Sequence, residues 1–230
     1  MKLGIMQPYF LPYIGYFQLI NAVDKYVIYD DVNFIKRGWI NRNNILLCEK
    51  SFLFTLALLE ASQNKLINEI FVYSDQSKLL KTIHTAYKKA PQFFSVFPMV
   101  EKIFEYENKN LARYVGNSII QIADYLRLET EFIYSSDIKG KDSLLKAQNK
   151  VLNICNVLGA SKYINAIGGM VLYDKESFKK KDIDVFFIKT KSIEYQQFKK
   201  PFVANLSMLD VLMFNSVEEV QGLLGKYELI

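Results

Sequence analysis

The first thirty or so residues leave the chain few choices of fold. Residues 2 to 6 form a short apolar run that stops at Pro8, the pattern of a buried strand feeding a loop. Pro12 stands where a first helical turn begins, and Ile14, Phe17, Gln18 and Ile20 to Val23 carry helical spacing. Asp24 follows, and Lys25 to Tyr29 (KYVIY) reads as a second strand closed by Asp30 and Asp31. A strand, a helix and a second strand within so short a length form a βαβ unit, whose natural product is a parallel sheet.

Downstream, residues 39 to 47 and 51 to 59 read as two further strands joined near Cys48-Glu49-Lys50, as a hairpin or a pair of extended segments. From Asp75, a plausible N-cap, the period changes to helical. Leu79, Leu80, Ile83 and Tyr87 carry it up to Pro91, and residues 93 to 106 and 110 to 126 continue it. The α/β alternation then returns, with a strand at 131 to 134, a helix at 143 to 158, a strand at 162 to 167 and a Gly168-Gly169 turn. A strand at 184 to 189 and helices at 206 to 214 and 217 to 224 complete it, and no repeat or low-complexity linker divides the parts. The expected fold is α/β, a Rossmann-like parallel sheet flanked by helices, with residues 1 to 230 as a single domain and a helical insertion at about 75 to 127.

Composition narrows the function classes. Half of the 230 residues are apolar and 14% aromatic, with 17 Phe and 15 Tyr against one Trp, so the chain can build an aromatic-rich core without disulfide or metal staples. A net charge of +5, from Lys and Arg pairs and triplets interleaved with acids, favours anionic ligands but lacks the clustering of a nucleic-acid footprint. Cys48 and Cys155 lie far apart without CxxC spacing, so neither a zinc site nor a disulfide framework is indicated and a reducing compartment fits. Pro8 interrupts the start before a secretory apolar core, and no run of 18 apolar residues follows, so a cytoplasmic protein without a membrane span is expected.

Two segments concentrate chemistry. Gln7, Tyr9, Tyr13, Gly15 and Tyr16 belong to a loop stiffened by two prolines directly after the first strand, where doubly wound sheets bind ligands and where a helix start offers free N–H groups to an anion. The plain alternative is a tight aromatic turn. After the second strand come Asp30, Asp31, Asn33, Lys36, Arg37, Trp39, Asn41 and Arg42. Arg37 and Arg42 suit forked bonds to phosphate oxygens, Lys36 a point charge, and Asn33 and Asn41 sugar hydroxyls, while Asp30 or Asp31 suits a general base or a magnesium ligand. Its alternative is an exposed charged loop. His84, the single histidine, is the remaining acid–base candidate or a helix packing residue. Gly168 and Gly169 mark a second strand-end loop that a ligand can approach or a simple turn, Gln196 a polar group near the C-terminal helices, and Ser207 a helix start. No residue pattern names a cofactor.

Two resemblances sharpen this reading. Tyr13-Ile14-Gly15-Tyr16 stands where the HIGH-type nucleotidyltransferase and pantothenate-synthetase superfamily places HxGH, but tyrosines replace both histidines, which puts nucleotidyl transfer in doubt even if the fold is shared. More closely, the order QPYFLPYIGYFQLI, DKYVIYDDVNFIKRGWINRN, YINAIGGMVLY and EYQQFKKPFVANLSMLDVLMFN resembles the WbqC-like family over nearly the whole chain. That resemblance implies a part in bacterial O-antigen or related surface-polysaccharide biosynthesis, making or decorating a nucleotide-linked sugar. The expected partners are a nucleotide-linked amino sugar and an unspecified group donor, with acyl or aminoacyl transfer as the reaction. A non-catalytic nucleotide-sugar binding or scaffold protein is the alternative.

Overall fold

A computed structural model of the protein describes residues 1–199 and 201–230. The opening unit forms as its periodicity requires: β1 (Lys2–Met6), α1 (Ile14–Asn21) and β2 (Lys25–Ile28), with β1 and β2 paired in parallel from Leu3↔Lys25 to Met6↔Ile28. A hairpin follows, β3 (Arg42–Leu47) and β4 (Lys50–Thr55), then a small antiparallel pair, β5 (Leu58–Leu59) and β6 (Phe71–Val72). The helical section is α2 (Ser77–Tyr87), α3 (Phe93–Glu105) and α4 (Leu111–Tyr125). The alternation resumes through β7 (Glu131–Tyr134), α5 (Ala147–Val157), β8 (Lys162–Ala166), α6 (Lys175–Lys179) and β9 (Asp184–Thr190), ending in α7 (Met208–Phe214), α8 (Val217–Leu224) and β10 (Tyr227–Leu229).

The main sheet runs β10-β9-β8-β1-β2-β7, parallel throughout except that β10 is antiparallel to β9. The chain moves outward from β1 to β2 and β7, then crosses back to β8 on the other side of β1, so the order reverses between β1 and β8. In open α/β sheets a crevice opens outside the carboxyl ends of the strands at such a reversal.

Both faces of this sheet are covered, which is why β1, β2 and β8 read as near-continuous apolar runs. On one face Leu3, Ile5, Val27, Tyr163 and Phe187 pack against α5 and α6 through Val151, Ile154, Cys155 and Phe178. On the other, Tyr26 and Ile28 meet α1, and the same core continues without a break through Phe10 and Phe54 into α3, α4, α7 and α8. The helical section thus shares the core of one sheet face. Each fully buried Leu, Ile or Phe there stabilises the fold by about 1.5–3 kcal/mol relative to exposure.

Several element boundaries differ from the sequence reading for identifiable reasons. The first hairpin strand begins at Arg42 rather than 39, because Ile40 is pulled aside to accept from the Phe10 amide. The run 51–59 breaks at Leu56, whose amide bonds to Asn41, while the Gln76 side chain takes both backbone groups of Ala57. Gln76, not Asp75, occupies the N-cap position of α2, with Asp75 accepting from the Ser77 amide just outside. Helix α5 starts at Ala147 instead of 143, since the Asp142 side chain closes a local turn onto the Leu144 amide. Gly168-Gly169 lies inside a 3-10 turn over Ile167–Leu172.

Candidate functional site

Loops leaving the carboxyl ends of β1 and β9 meet over the start of α1 and enclose two adjoining cavities. One, of about 260 Å³, is lined by Tyr9, Tyr13, Trp39, Asn43, Asn44 and Asn205. The other, of about 280 Å³, shares Tyr13 and Asn205 and reaches Thr190, Tyr195 and Phe202. Three distant chain segments are knitted together to make this groove. Tyr13 bridges to Ser207, the Ser207 amide donates to Asn44 O at 2.7 Å, and the Leu11 carbonyl accepts both Asn43 Nδ2 at 2.8 Å and Ser207 Oγ at 2.7 Å. Leu11 is held in the left-handed region at φ 48°, as are Arg37 at 64° and Asn205 at 58°, so three non-glycine residues around the groove carry backbone strain.

Gly15 explains the position of Tyr13. A Cβ at residue 15 would lie 2.4 Å from Tyr13 Cε2 and 2.8 Å from Thr190 Oγ1, so only glycine lets the ring fold over the first helical turn against the end of β9. Tyr9 packs with its ring tilted 40° against Tyr16 at 5.6 Å between centroids, and Tyr16 is wholly buried and donates its hydroxyl to Gln7 O at 2.9 Å. Tyr16 therefore acts on the groove through Tyr9. Burial raises the Tyr9 and Tyr13 hydroxyls above the ordinary tyrosine value, so both stay protonated donors at neutral pH.

Beyond β2, the charged segment separates into three environments. Trp39 is 47% exposed and carries the Arg42 guanidinium over its ring, while Arg42 Nε donates to Gly38 O at 2.9 Å. Lys36 and Arg37 are exposed near this rim. Asn33 and Asn41 use their amides to hold backbone, bonding to Gln63 O and Leu56 O.

Asp30 and Asp31 are driven apart by their surroundings. Asp30 is wholly buried and accepts from the Ser136 amide at 2.9 Å and the Ser136 hydroxyl at 2.6 Å; burial outweighs those bonds and lifts its pKa. Burial also pushes Asp31 upward, but Lys141, Ser135 and Lys150 overcome it and leave that carboxyl below the usual range. Neighbouring carboxyls with opposed shifts suit different roles. Among the described residues no group of three His, Cys, Asp or Glu side chains is placed to hold a metal ion.

The other sequence candidates lie apart. His84 sits on α2 with its ring edge-on to Phe93 and Phe97 of α3. Gly168 stands in open space, and Gly169 packs against Asn165 and Tyr173 after β8. Gln196 is exposed, whereas its neighbour Gln197 is buried and bonded to Asp210. Cys48 is exposed at the hairpin turn, and burial pushes the Cys155 thiol up to about 12. Sequence reasoning missed Asn43, Asn44, Ser136, Lys141 and Lys150. Ser136 and Lys141 follow β7 in the segment SSDIKGK, which is the strand-end position that flagged the first two loops.

The chain is an α/β protein with a mostly parallel central sheet flanked by helices, and an aromatic and amide-lined groove lies over the carboxyl edge of that sheet. More particularly, the chain belongs to the WbqC-like protein family, which matches residues 7–222. It is 26% identical over 219 residues, 93% of each chain, to a protein of Mycobacterium tuberculosis (strain ATCC 25618 / H37Rv) described as the uncharacterized protein Rv1507c. No solved structure matches it. No helix among the described residues is long and apolar enough to cross a membrane.

Proposed function

We propose that the protein binds a nucleotide-linked amino sugar in the groove and transfers an acyl or aminoacyl group to it, within bacterial surface-polysaccharide biosynthesis of the O-antigen type. The groove itself carries this reading: it joins Tyr9, Tyr13 and Trp39 to the amides of Asn44 and Asn205, while the Asn43 amide in the same wall is committed to Leu11 O and the Asn44 N–H. Bases and sugars present flat apolar faces edged by donors and acceptors, which that lining complements. Lys36, Arg37 and Arg42, near Trp39 at the rim, suit a diphosphate.

In the transfer, the sugar amine attacks the carbonyl carbon of an activated donor, and the leaving group departs with the electron pair of the broken bond. The proton released from nitrogen passes to the Ser136 hydroxyl as that hydroxyl gives its own proton to Asp30, 2.6 Å away. Asp30, raised by burial, is the better base of the pair, and exposed Ser136, which lies outside the lining of both cavities, is its route to an amine that extends beyond the groove. The complete burial of Asp30 equally supports a second reading, a non-catalytic nucleotide-sugar binding or scaffold protein.

Trp39 is the sole tryptophan and borders the groove, so its fluorescence reports occupancy. Titration with UDP-, GDP-, CDP- and dTDP-linked sugars is expected to give a saturable change with one of them, and calorimetry a weaker affinity for Trp39→Ala. Silence across the panel refutes the binding reading. With the cognate donor supplied, Asp30→Asn is expected to slow turnover at nearly unchanged sugar-nucleotide affinity, and full turnover in that variant removes the proton-transfer role.

A further inference from the structure

We propose that the outer edge of β4 is the interface through which two copies of this chain pair, strand against antiparallel strand, about a two-fold axis at Leu53. The register of the hairpin fixes which groups that edge offers. Arg42 to Leu47 of β3 face Thr55 to Lys50 of β4, and in the next step of the ladder the Leu56 amide donates to Asn41 O at 2.7 Å. Facing pairs in an antiparallel ladder alternate between those that bond each other and those that do not. Asn41 and Leu56 are a bonded pair, so Asn43 with Phe54 and Ile45 with Phe52 are bonded too. Ser51, Leu53 and Thr55 therefore aim their N–H and C=O groups away from β3.

Outward groups elsewhere on the hairpin have partners. On the β3 edge the Asn44 carbonyl accepts from the Ser207 amide, and the Leu46 amide donates to Tyr87 OH at 3.0 Å. Past the end of β4, the Gln76 side chain takes both backbone groups of Ala57. Among the described residues nothing bonds the outward groups of Ser51, Leu53 or Thr55, and β3 is the one strand paired with β4. Folded proteins commonly guard such an edge with a charge, a proline or a bulge. The run Ser51 to Thr55, SFLFT, has no charge and no proline, and its register is unbroken. Phe52 and Leu53, on opposite faces of the strand, are 42% and 48% exposed.

The edge is complementary to itself. With Leu53 facing Leu53 of the second copy, Ser51 faces Thr55 at either end, and each pair matches donor to acceptor in both directions, about six backbone bonds in all. Lys50, the charged residue of β4, then faces Leu56, so like charges do not meet. One step further the turn residue Glu49 comes opposite Ala57, whose groups Gln76 already holds, and the ladder ends there. One short strand buries less than the roughly 1,200 Å² of a stable interface. The chain supplies more apolar surface directly after the edge: Leu59 and Phe71 face each other across β5 and β6, Tyr73 follows at strand period, and all three are exposed.

This pairing does not depend on what the groove binds. The experiment is sedimentation velocity of the full chain over about a hundredfold range of concentration, for wild type, Leu53→Pro and Leu53→Lys. Proline deletes the outward amide and leaves the bonded pairs to β3 in place, while lysine keeps the amide and sets a charge against its own copy. Wild type is expected to reach twice the mass of the chain and no more, because a two-fold pairing closes on itself. Each variant is expected to weaken dimerisation about tenfold or more, with the circular dichroism of wild type. Hydrogen exchange on wild type needs no variant, and it stands if Leu53→Pro fails to fold: the amides of Ser51, Leu53 and Thr55 are expected to exchange slowly in the dimer although nothing within one chain bonds them. The proposal is overturned by wild type that stays monomeric throughout, by assembly beyond two copies, by undiminished dimerisation of folded Leu53→Lys, or by fast exchange of those three amides in a dimeric wild type.

Discussion

Replacing Asp210 by alanine probes the carboxylate that fastens the outer wall of the groove. Asp210 is fully buried on α7 and accepts from Tyr87 OH at 2.8 Å, Tyr195 OH at 2.7 Å and Gln197 Nε2 at 2.7 Å. These donors fare differently in the variant. Gln197 keeps its bond to Val203 O at 3.0 Å, and half-buried Tyr195 can turn to water. Tyr87 has no exposure, and its other bond, from the Leu46 amide, uses the oxygen as acceptor, so its O–H is orphaned. One unsatisfied buried donor costs about 1–3 kcal/mol; with the lost charge-assisted bonds, and less the relief of no longer burying a carboxylate, the net loss is about 2–3 kcal/mol. Urea unfolding followed by circular dichroism reads this as a lower midpoint at constant slope.

The pH dependence fixes the sign. Burial lifts the Asp210 pKa against the opposing pull of Tyr195, Gln197 and Tyr87, so the folded state holds its proton more tightly than the unfolded chain. Wild type then gains stability as pH falls through the folded pKa toward the unfolded one, and alanine gains none there. The deficit of the variant is expected to widen on acidification. An unchanged midpoint, or a deficit that narrows toward acid, refutes the reasoning.

Two further substitutions separate groove architecture from ligand contact. Gly15→Ala forces apart Tyr13 and Thr190, whose hydroxyl donates to buried Gln18 at 2.7 Å, and overpacking of this kind costs about 1–3 kcal/mol in thermal unfolding together with weakened nucleotide-sugar binding. Arg37→Gly relieves an exposed residue held at φ 64°, so its stability is expected to stay within about 1 kcal/mol of wild type while calorimetry shows weaker binding of a diphosphate-bearing ligand. Marked destabilisation there would show that Arg37 serves the fold rather than the ligand.

The parallel sheet was legible from residues 2 to 29 alone, because a buried strand, an amphipathic helix and a second buried strand each advertise themselves by local period. The same logic located β7, β8, β9 and the helices α2 to α4 closely, and it drew attention to the loops after β1 and β2. Short elements escaped it: β6, α6 and β10 contain too few residues to show a period, and β5 was read only as the end of one continuous strand over 51 to 59.

The site divides along the same line. Tyr9, Tyr13 and Trp39 were visible as unusual residues at strand ends, but only tertiary structure joins them to Asn205 and Thr190, more than 150 positions away. Identical letters also received different work: Asn33 and Asn41 hold backbone away from the groove while Asn43, which ties down Leu11, and Asn44 line it, and Asp30 and Asp31, adjacent in sequence, were given opposite pKa shifts, Asp30 raised by burial against the pull of Ser136 and Asp31 lowered by Lys141, Ser135 and Lys150 against its burial. Periodicity is a property of a segment and survives in one dimension. Burial, charge balance and hydrogen-bond partners are set by the neighbours a residue meets in three dimensions, and for this protein the chain crossing from β7 to β8 and the return of α7 against the first loop supply them.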